Sequence, residues 1–342
     1  MQNNFNFLRL LFAVFVLITH SHKLSNAKTV DVLHTITQGQ THFSYLGLFG
    51  LFSLSGYLVY QSLGRSKSIF IFFRKRILRI FPALLVVLLL TIVLGTFVFE
   101  GSVSRYIVLP EMQTYLPNNL FLIKTQYDIP GIFENNPVKR MINGSLWSIQ
   151  YEAAMYLSLA TLFFLSRVWK KWIITIIFLA FLVIKLFFAE KALQFQGNIK
   201  GEYYLELAVY FFAGSVLAAF EIEKWKRNQF LIISTSILLV ISLMANVFET
   251  SRFILLPILV ISFGLTYLKP LHHVVQKIGD LSYGVYLYAF PIQQTLMHYF
   301  HLQTMALLIL SLLISMTFAW LSWHIVEKRA MNWKKEMQRF QT

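Results

Sequence analysis

Ten apolar runs, each near the length needed to cross a bilayer, alternate with polar segments along the 342 residues. A helix rises about 1.5 Å per residue, so roughly 20 residues cross a hydrocarbon core of about 30 Å. On that measure the pattern predicts helices at about 5–22, 43–63, 80–99, 146–166, 172–189, 203–220, 229–248, 253–268, 281–299 and 304–326. The expected fold is all-α, a polytopic integral membrane bundle of about ten transmembrane helices. No internal repeat, low-complexity tract or Gly/Ser linker interrupts it, so 1–342 reads as one transmembrane domain with no separate soluble domain. The longest piece between runs, 100–145, is rich in Pro, Asn and aromatic residues, and a loop of that length is usually functional or partly re-entrant.

Composition agrees with this pattern. Apolar residues make up 57% of the chain and charged residues 13%, too little polar surface for a soluble globule. With no cysteine, disulfides, a thiolate nucleophile and a zinc–thiolate site are all excluded, and no metal is expected. In a soluble protein the net charge of +15 would suggest nucleic acid, but here its placement matters more and no nucleic acid is expected. With a cytoplasmic N-terminus, the loops 64–79, 167–171, 221–228 and 269–280 and the tail from 327 hold 19 of the 30 Lys and Arg. The opposite loops are longer in total and hold nine, while Arg9 and Lys185 fall within spans. This positive-inside asymmetry places both termini in the cytoplasm, with membrane lipid around the bundle. A rival reading makes 1–27 a cleaved signal peptide with Ser-Asn-Ala as its cleavage site, which would leave nine spans.

Ionisable groups inside spans cost a few kcal/mol or more and usually face a bundle interior or a watery cavity. Arg9 and His20 bracket ten uncharged residues; eleven steps of roughly 100° bring them about 20° past three full turns, so they share a helix face roughly 16 Å apart. For His20 alone, a hydrogen-bonded core histidine is the plainer alternative. In "FFRKRILRIFPAL", Arg76 and Arg79 are neighbours on one helical face. Guanidinium forks there suit phosphate, and a topology determinant touching anionic lipid is the alternative. In "NGSLWSIQYEAAMY", Asn143 and Ser145 suit an N-cap, and Ser148, Glu152 and Tyr156 form a polar stripe. Glu152 either orients a histidine, binds a sugar hydroxyl, or pairs with a buried arginine. Glu206 has no motif behind it and reads as structural.

Taken in order, these elements resemble the acyltransferase 3 family of integral membrane acyltransferases over nearly the whole chain. The resemblance rests on Arg9 and His20 with ten residues between them, "LFSLSGYL" at 51–58, and Arg76, Arg79, Ile80 and Pro82. It rests further on Asn143, Gly144, Leu146, Trp147, Ser148, Glu152 and Tyr156, then on "GDLSYGVYLYAFPI" and "HIVEKR". Two positions depart from the family pattern: Ala289 stands where a histidine often precedes Phe-Pro, and Arg329 replaces the usual proline after Glu327.

The resemblance implies transfer of an acyl group, usually acetyl, from cytoplasmic acyl-CoA to a hydroxyl of an extracytoplasmic carbohydrate. Surface polysaccharide, such as lipid-linked O-antigen (lipopolysaccharide) or capsule, is the expected acceptor, and a bacterial inner membrane the expected location. Arg76 and Arg79 would hold the phosphates of acetyl-CoA, with Arg9 just inside. His20 would act as general base, a task that suits imidazole near neutral pH, with Glu152 beside it in the catalytic role. Asn143, Trp147, Ser148 and Glu327 would serve substrate binding. A transient acyl-histidine is the alternative to direct transfer. The rival class of function is a transporter or flippase for a lipid-linked glycan or acyl donor, since buried charges mark those proteins too.

Overall fold

The computed structural model of the chain describes residues 3–25, 30–122, 124–190, 194, 197–225 and 228–332. Its helices are, in chain order, α1 (Phe5–Leu24), α2 (Val32–Ile36), α3 (Phe43–Gly64), α4 (Ile69–Val98), α5 (Val103–Val108), α6 (Pro110–Leu120) and α7 (Trp147–Ala160). There follow α8 (Arg167–Phe187), α9 (Gly201–Ala219), α10 (Asn228–Met244), α11 (Phe248–Leu265), α12 (Lys269–Ile278), α13 (Ser282–Phe300) and α14 (Thr304–Ser322). A helix stands at each of the ten apolar runs. Among the described residues five helices are long and apolar enough to cross a membrane: Phe5–Leu24, Phe43–Gly64, Ile69–Val98, Phe248–Leu265 and the continuous stretch Thr304–Asn332. The chain is an all-helical membrane protein.

Three boundaries differ from expectation. α4 begins at Ile69 rather than 80, so the basic stretch expected in a loop is helical. Nothing in it breaks a helix, because Arg, Lys, Leu and Ile all tolerate one. Pro82 is therefore well inside α4, and Tyr283 donates a hydrogen bond to the Ile80 carbonyl at 3.1 Å. α7 stops at Ala160, and turns follow. Finally, α11 starts at Phe248 rather than 253, which draws Arg252 out of its expected loop and into a helix, 6% exposed. Of the cleavage site of the signal-peptide reading, Ser25 shares a hydrogen bond with Thr304 at 2.6 Å, while Asn26 and Ala27 lie outside the described residues.

The chain divides into two compact units. The first comprises Met1–Phe12, Val32–Phe72 and Tyr151–Lys277. Its centre is α9 laid along α3, an approach that only small residues permit. A Cβ on Gly56 would come within 1.8 Å of the Phe211 carbonyl oxygen, and one on Gly214 within 2.0 Å of the Ser53 carbonyl oxygen. Ser215 donates across the same seam to the Gly56 carbonyl at 3.0 Å. Both obstacles are backbone atoms that cannot rotate away. Gly56→Ala should therefore destabilise the protein by about 1–3 kcal/mol, seen as a lower melting midpoint in detergent. An unchanged midpoint would mean that the two helices are not this close.

The second unit comprises Ala13–Asp31, Phe73–Gln150 and Ile278–Thr342. In it α13 packs on α14, with Gly284 against the backbone of Ala319, and Leu24, Phe290, Leu296, Met297 and Leu307 form a buried cluster. Two adjacent glutamines of α13, both fully buried, do separate work. Gln293 donates to the Leu17 carbonyl at 3.1 Å and Ser21 Oγ at 2.8 Å, fixing α1. Gln294 donates to the carbonyls of Val138 and Met141, each at 2.8 Å, and its side-chain oxygen accepts from Asn136 at 2.9 Å. The described residues of the long 100–145 piece carry α5, α6 and isolated antiparallel bridges at Phe99–Ile132 and Asp128–Met141. Within it Glu134 accepts from the Gly131 N–H at 2.8 Å and from Arg140 Nε at 2.9 Å. Those contacts, the Gly131 N–H foremost, hold its carboxyl below the ordinary range.

Candidate active site

α1 is unbroken from Phe5 to Leu24, so Arg9 and His20 do share a face three turns apart. Residues to Phe12, Arg9 among them, go with the first unit; those from Ala13, including His20, go with the second. The half-buried His20 ring meets Phe290 edge-on, with centroids 5.2 Å apart and planes at 88°. Phe290 in turn fills the space above Gly144, where a Cβ would lie 2.7 Å from its ring. Two motifs separated by about 140 residues in sequence therefore converge on one ring that touches the histidine. The turn carrying His20 is pinned on either side. Gln293 holds Leu17 and Ser21, while Thr19 Oγ1 donates at 2.6 Å to the carboxylate of a fully buried Asp31.

The basic face of α4 behaves differently at its two arginines. Arg79 is paired at 2.9 Å with Asp280 and stands 3.9 Å from Glu327, with its guanidinium over Tyr283 at 5.9 Å. Asp280 also accepts from Ser282 Oγ at 2.6 Å, and Glu327, only 2% exposed, from Ser322 Oγ at 3.1 Å. Glu327 reaches inward because Trp323–Glu327 is a π-helical turn, whose extra residue rotates the end of the helix. Arg79 thus faces at least two carboxylates, Asp280 and Glu327. Arg76, three residues earlier and on the same face of α4, is half-buried.

The "NGSLWSIQYEAAMY" element is built as its spacing implies. Asn143 caps the turn Gly144–Leu146 by accepting from the Ser145 N–H at 3.1 Å, and its amide donates to the Leu287 carbonyl at 3.0 Å. Ser148 shares a 2.6 Å hydrogen bond with the Tyr286 hydroxyl, and Trp147 is half-buried at the first residue of α7. All of these belong to the second unit, with His20, Arg76, Arg79 and Glu327. Glu152 belongs to the first unit, where Ser55 Oγ donates to it at 2.7 Å and the Tyr156 hydroxyl donates to the same oxygen. Ser55 and Tyr156 are 3.1 Å apart, so "LFSLSGYL" and the Glu152 helix close a three-membered hydrogen-bonded ring.

Sequence patterning had singled out neither Asp31 nor Asp280, since each lies in a polar stretch between helices and only burial marks it. Among the described residues no group of three His, Asp or Glu is placed to hold a metal ion.

Residues 2–324 match the family described as an acyltransferase domain. The chain is 27% identical over 343 residues to an O-acetyl transferase of Shigella phage Sf6, an alignment covering 97% of this chain and 96% of that one. It is 29% identical over 177 residues to nodulation protein 10 of Rhizobium leguminosarum bv. viciae, covering 50% of this chain and 46% of that one. No solved structure matches.

Proposed function

Because the chain belongs to the acyltransferase domain family and is an enzyme of that class, we propose that it transfers an acetyl group from acetyl-CoA to a carbohydrate hydroxyl. The phage relative named as an O-acetyl transferase supports acetyl as the group moved and oxygen as its destination. The observation that carries the proposal is the support built around His20, with Phe290 against its ring and the Thr19–Asp31 bond beside it. A base must be held where it acts, and packing of this kind holds it.

In the proposed reaction the acceptor oxygen attacks the thioester carbonyl while an imidazole nitrogen of His20 takes the hydroxyl proton. The tetrahedral intermediate collapses, the carbon–sulfur bond breaks, and the proton passes from the imidazolium to the leaving CoA thiolate. Glu152, held by Ser55 and Tyr156, is the carboxylate proposed for a catalytic role. Trp147 offers an apolar face for a sugar ring, with Asn143 and Ser148 shaping the turn that presents it. We place the donor phosphates chiefly at Arg76, since Arg79 already faces Asp280 and Glu327. The acceptor is a glycan on the outer face of a bacterial inner membrane, reached by a donor from the cytoplasm.

Purified protein supplied with acetyl-CoA and surface glycan from its host should release free CoA and form an alkali-labile ester. In that assay Arg76→Ala should raise the half-saturating acetyl-CoA concentration by about tenfold, as loss of one charge-assisted phosphate contact predicts. Failure to release CoA with any glycan would sink the proposal, and an unmoved half-saturation would clear Arg76 of the donor role.

A further inference from the structure

In the first unit, charged groups absent from the proposed reaction meet near one end of the helices. Glu206, in the second turn of α9, pairs through one carboxylate oxygen with Lys185 of the last turn of α8. Its other oxygen pairs at 2.9 Å with Arg252 Nη2, in the second turn of α11. One carboxylate thus serves two cations at contact distance, while Glu202 and Glu249 stand close enough to act electrostatically on Tyr45 and Tyr210 respectively.

Arg252 is the unsatisfied member. Its side chain is 7% exposed, and its Nε and Nη1 groups are buried without a hydrogen-bond partner among the described residues. Aromatic rings surround it, with Cζ 4.9 Å from the Phe49 centroid, 5.4 Å from Phe253 and 5.7 Å from Tyr45. Ring faces attract the cation but do not take the place of in-plane acceptors for its N–H groups. Stacked on Phe49 at 4.1 Å is Tyr210, whose buried hydroxyl is likewise without a partner. Phe49, Phe253 and Tyr210 are closed in, whereas Tyr45 is 43% exposed and forms the outer wall. Three helices, α3, α9 and α11, begin at this end and add the partial positive charge of their N-termini, against the C-termini of α8 and α10.

We propose that Lys185, Glu206, Arg252 and Tyr45 form a binding site for a phosphoryl group, entered past the Tyr45 ring. A phosphate oxygen would accept from the idle guanidinium N–H groups and the tyrosine hydroxyls, a pairing for which guanidinium is suited. The ends of membrane helices lie near the depth of lipid phosphates, so the group arrives either on a lipid or on a small soluble anion. This site stands on the first unit alone and does not depend on the reaction proposed above.

The test uses the full chain carrying Arg76→Ala, which removes the proposed donor contact, purified in a phosphate-free maltoside detergent. Melting midpoints are followed against sodium pyrophosphate at constant ionic strength and, separately, against phosphatidylglycerol with a galactosyl diglyceride as control. The midpoint should rise in at least one series. A rise with phosphatidylglycerol alone assigns a lipid headgroup, and a rise with pyrophosphate assigns a free phosphate. Arg252→Gln should weaken half-saturation by about tenfold or more. Glu206→Gln, which removes one negative charge from the site, should tighten it. A merely structural network would lower the midpoint in both variants without moving half-saturation in opposite directions. No rise in either series overturns the proposal, as does wild-type half-saturation in Arg252→Gln; should that variant not fold, weaker binding in Glu206→Gln overturns it.

Discussion

His20→Ala is expected to lower acetyl transfer by about 10²–10⁴-fold, the usual contribution of a positioned general base, with little change in melting midpoint. The ring is half-buried and its edge contact with Phe290 is worth only about 0.5–1.5 kcal/mol, so the fold should survive its loss. His20→Phe separates packing from chemistry, because it keeps an aromatic ring against Phe290 and removes both nitrogens. The two variants should be equally inactive by CoA release. Activity restored in His20→Phe would assign the histidine to packing and leave the base elsewhere. The same preparation distinguishes direct transfer from an acyl-histidine: labelled acetyl-CoA without acceptor should leave no label on the protein if transfer is direct, and label lost in His20→Ala if it is not.

Arg79→Ala is expected to cost about 3–5 kcal/mol of stability, the penalty for stranding buried carboxylates without their cation. Asp280 and Glu327 would then face each other's charge, with side chains 9% and 2% exposed. Adding Asp280→Asn and Glu327→Gln to Arg79→Ala removes that repulsion and should recover most of the loss in melting midpoint. If the triple variant is no more stable than Arg79→Ala, the network is not what Arg79 supports. Acetyl-CoA titrated against the triple variant then decides the second question: near-native affinity leaves the donor phosphates to Arg76, while an affinity reduced about tenfold returns Arg79 to the donor site.

Several local relations among the candidate residues were legible in the sequence alone. The spacing of Arg9 and His20 required an unbroken helix, and α1 is one. Asn143 was expected as a cap and caps a turn; Glu152 and Tyr156 were expected as neighbours four apart and are hydrogen-bonded. These relations are local, set by helix periodicity and by the habits of short polar side chains. The partners of Arg79 were not legible, because Asp280 and Glu327 come from distant segments and Glu327 is turned inward by a π-helical turn that no hydropathy pattern announces. Glu206 was set aside for want of a motif, and Arg252 was left outside the membrane by a boundary placed five residues late.

Hydropathy and periodicity act over a few turns of chain, so the residues alone decided that this is an all-helical membrane protein and which of its polar side chains share a helix face. Which carboxylate neutralises which guanidinium, which ring rests on His20, and which glycines must stay bare depended on segments far apart in sequence coming to lie in contact. Burial makes those long-range choices costly to leave unmet, and only the packed chain reveals how each was met.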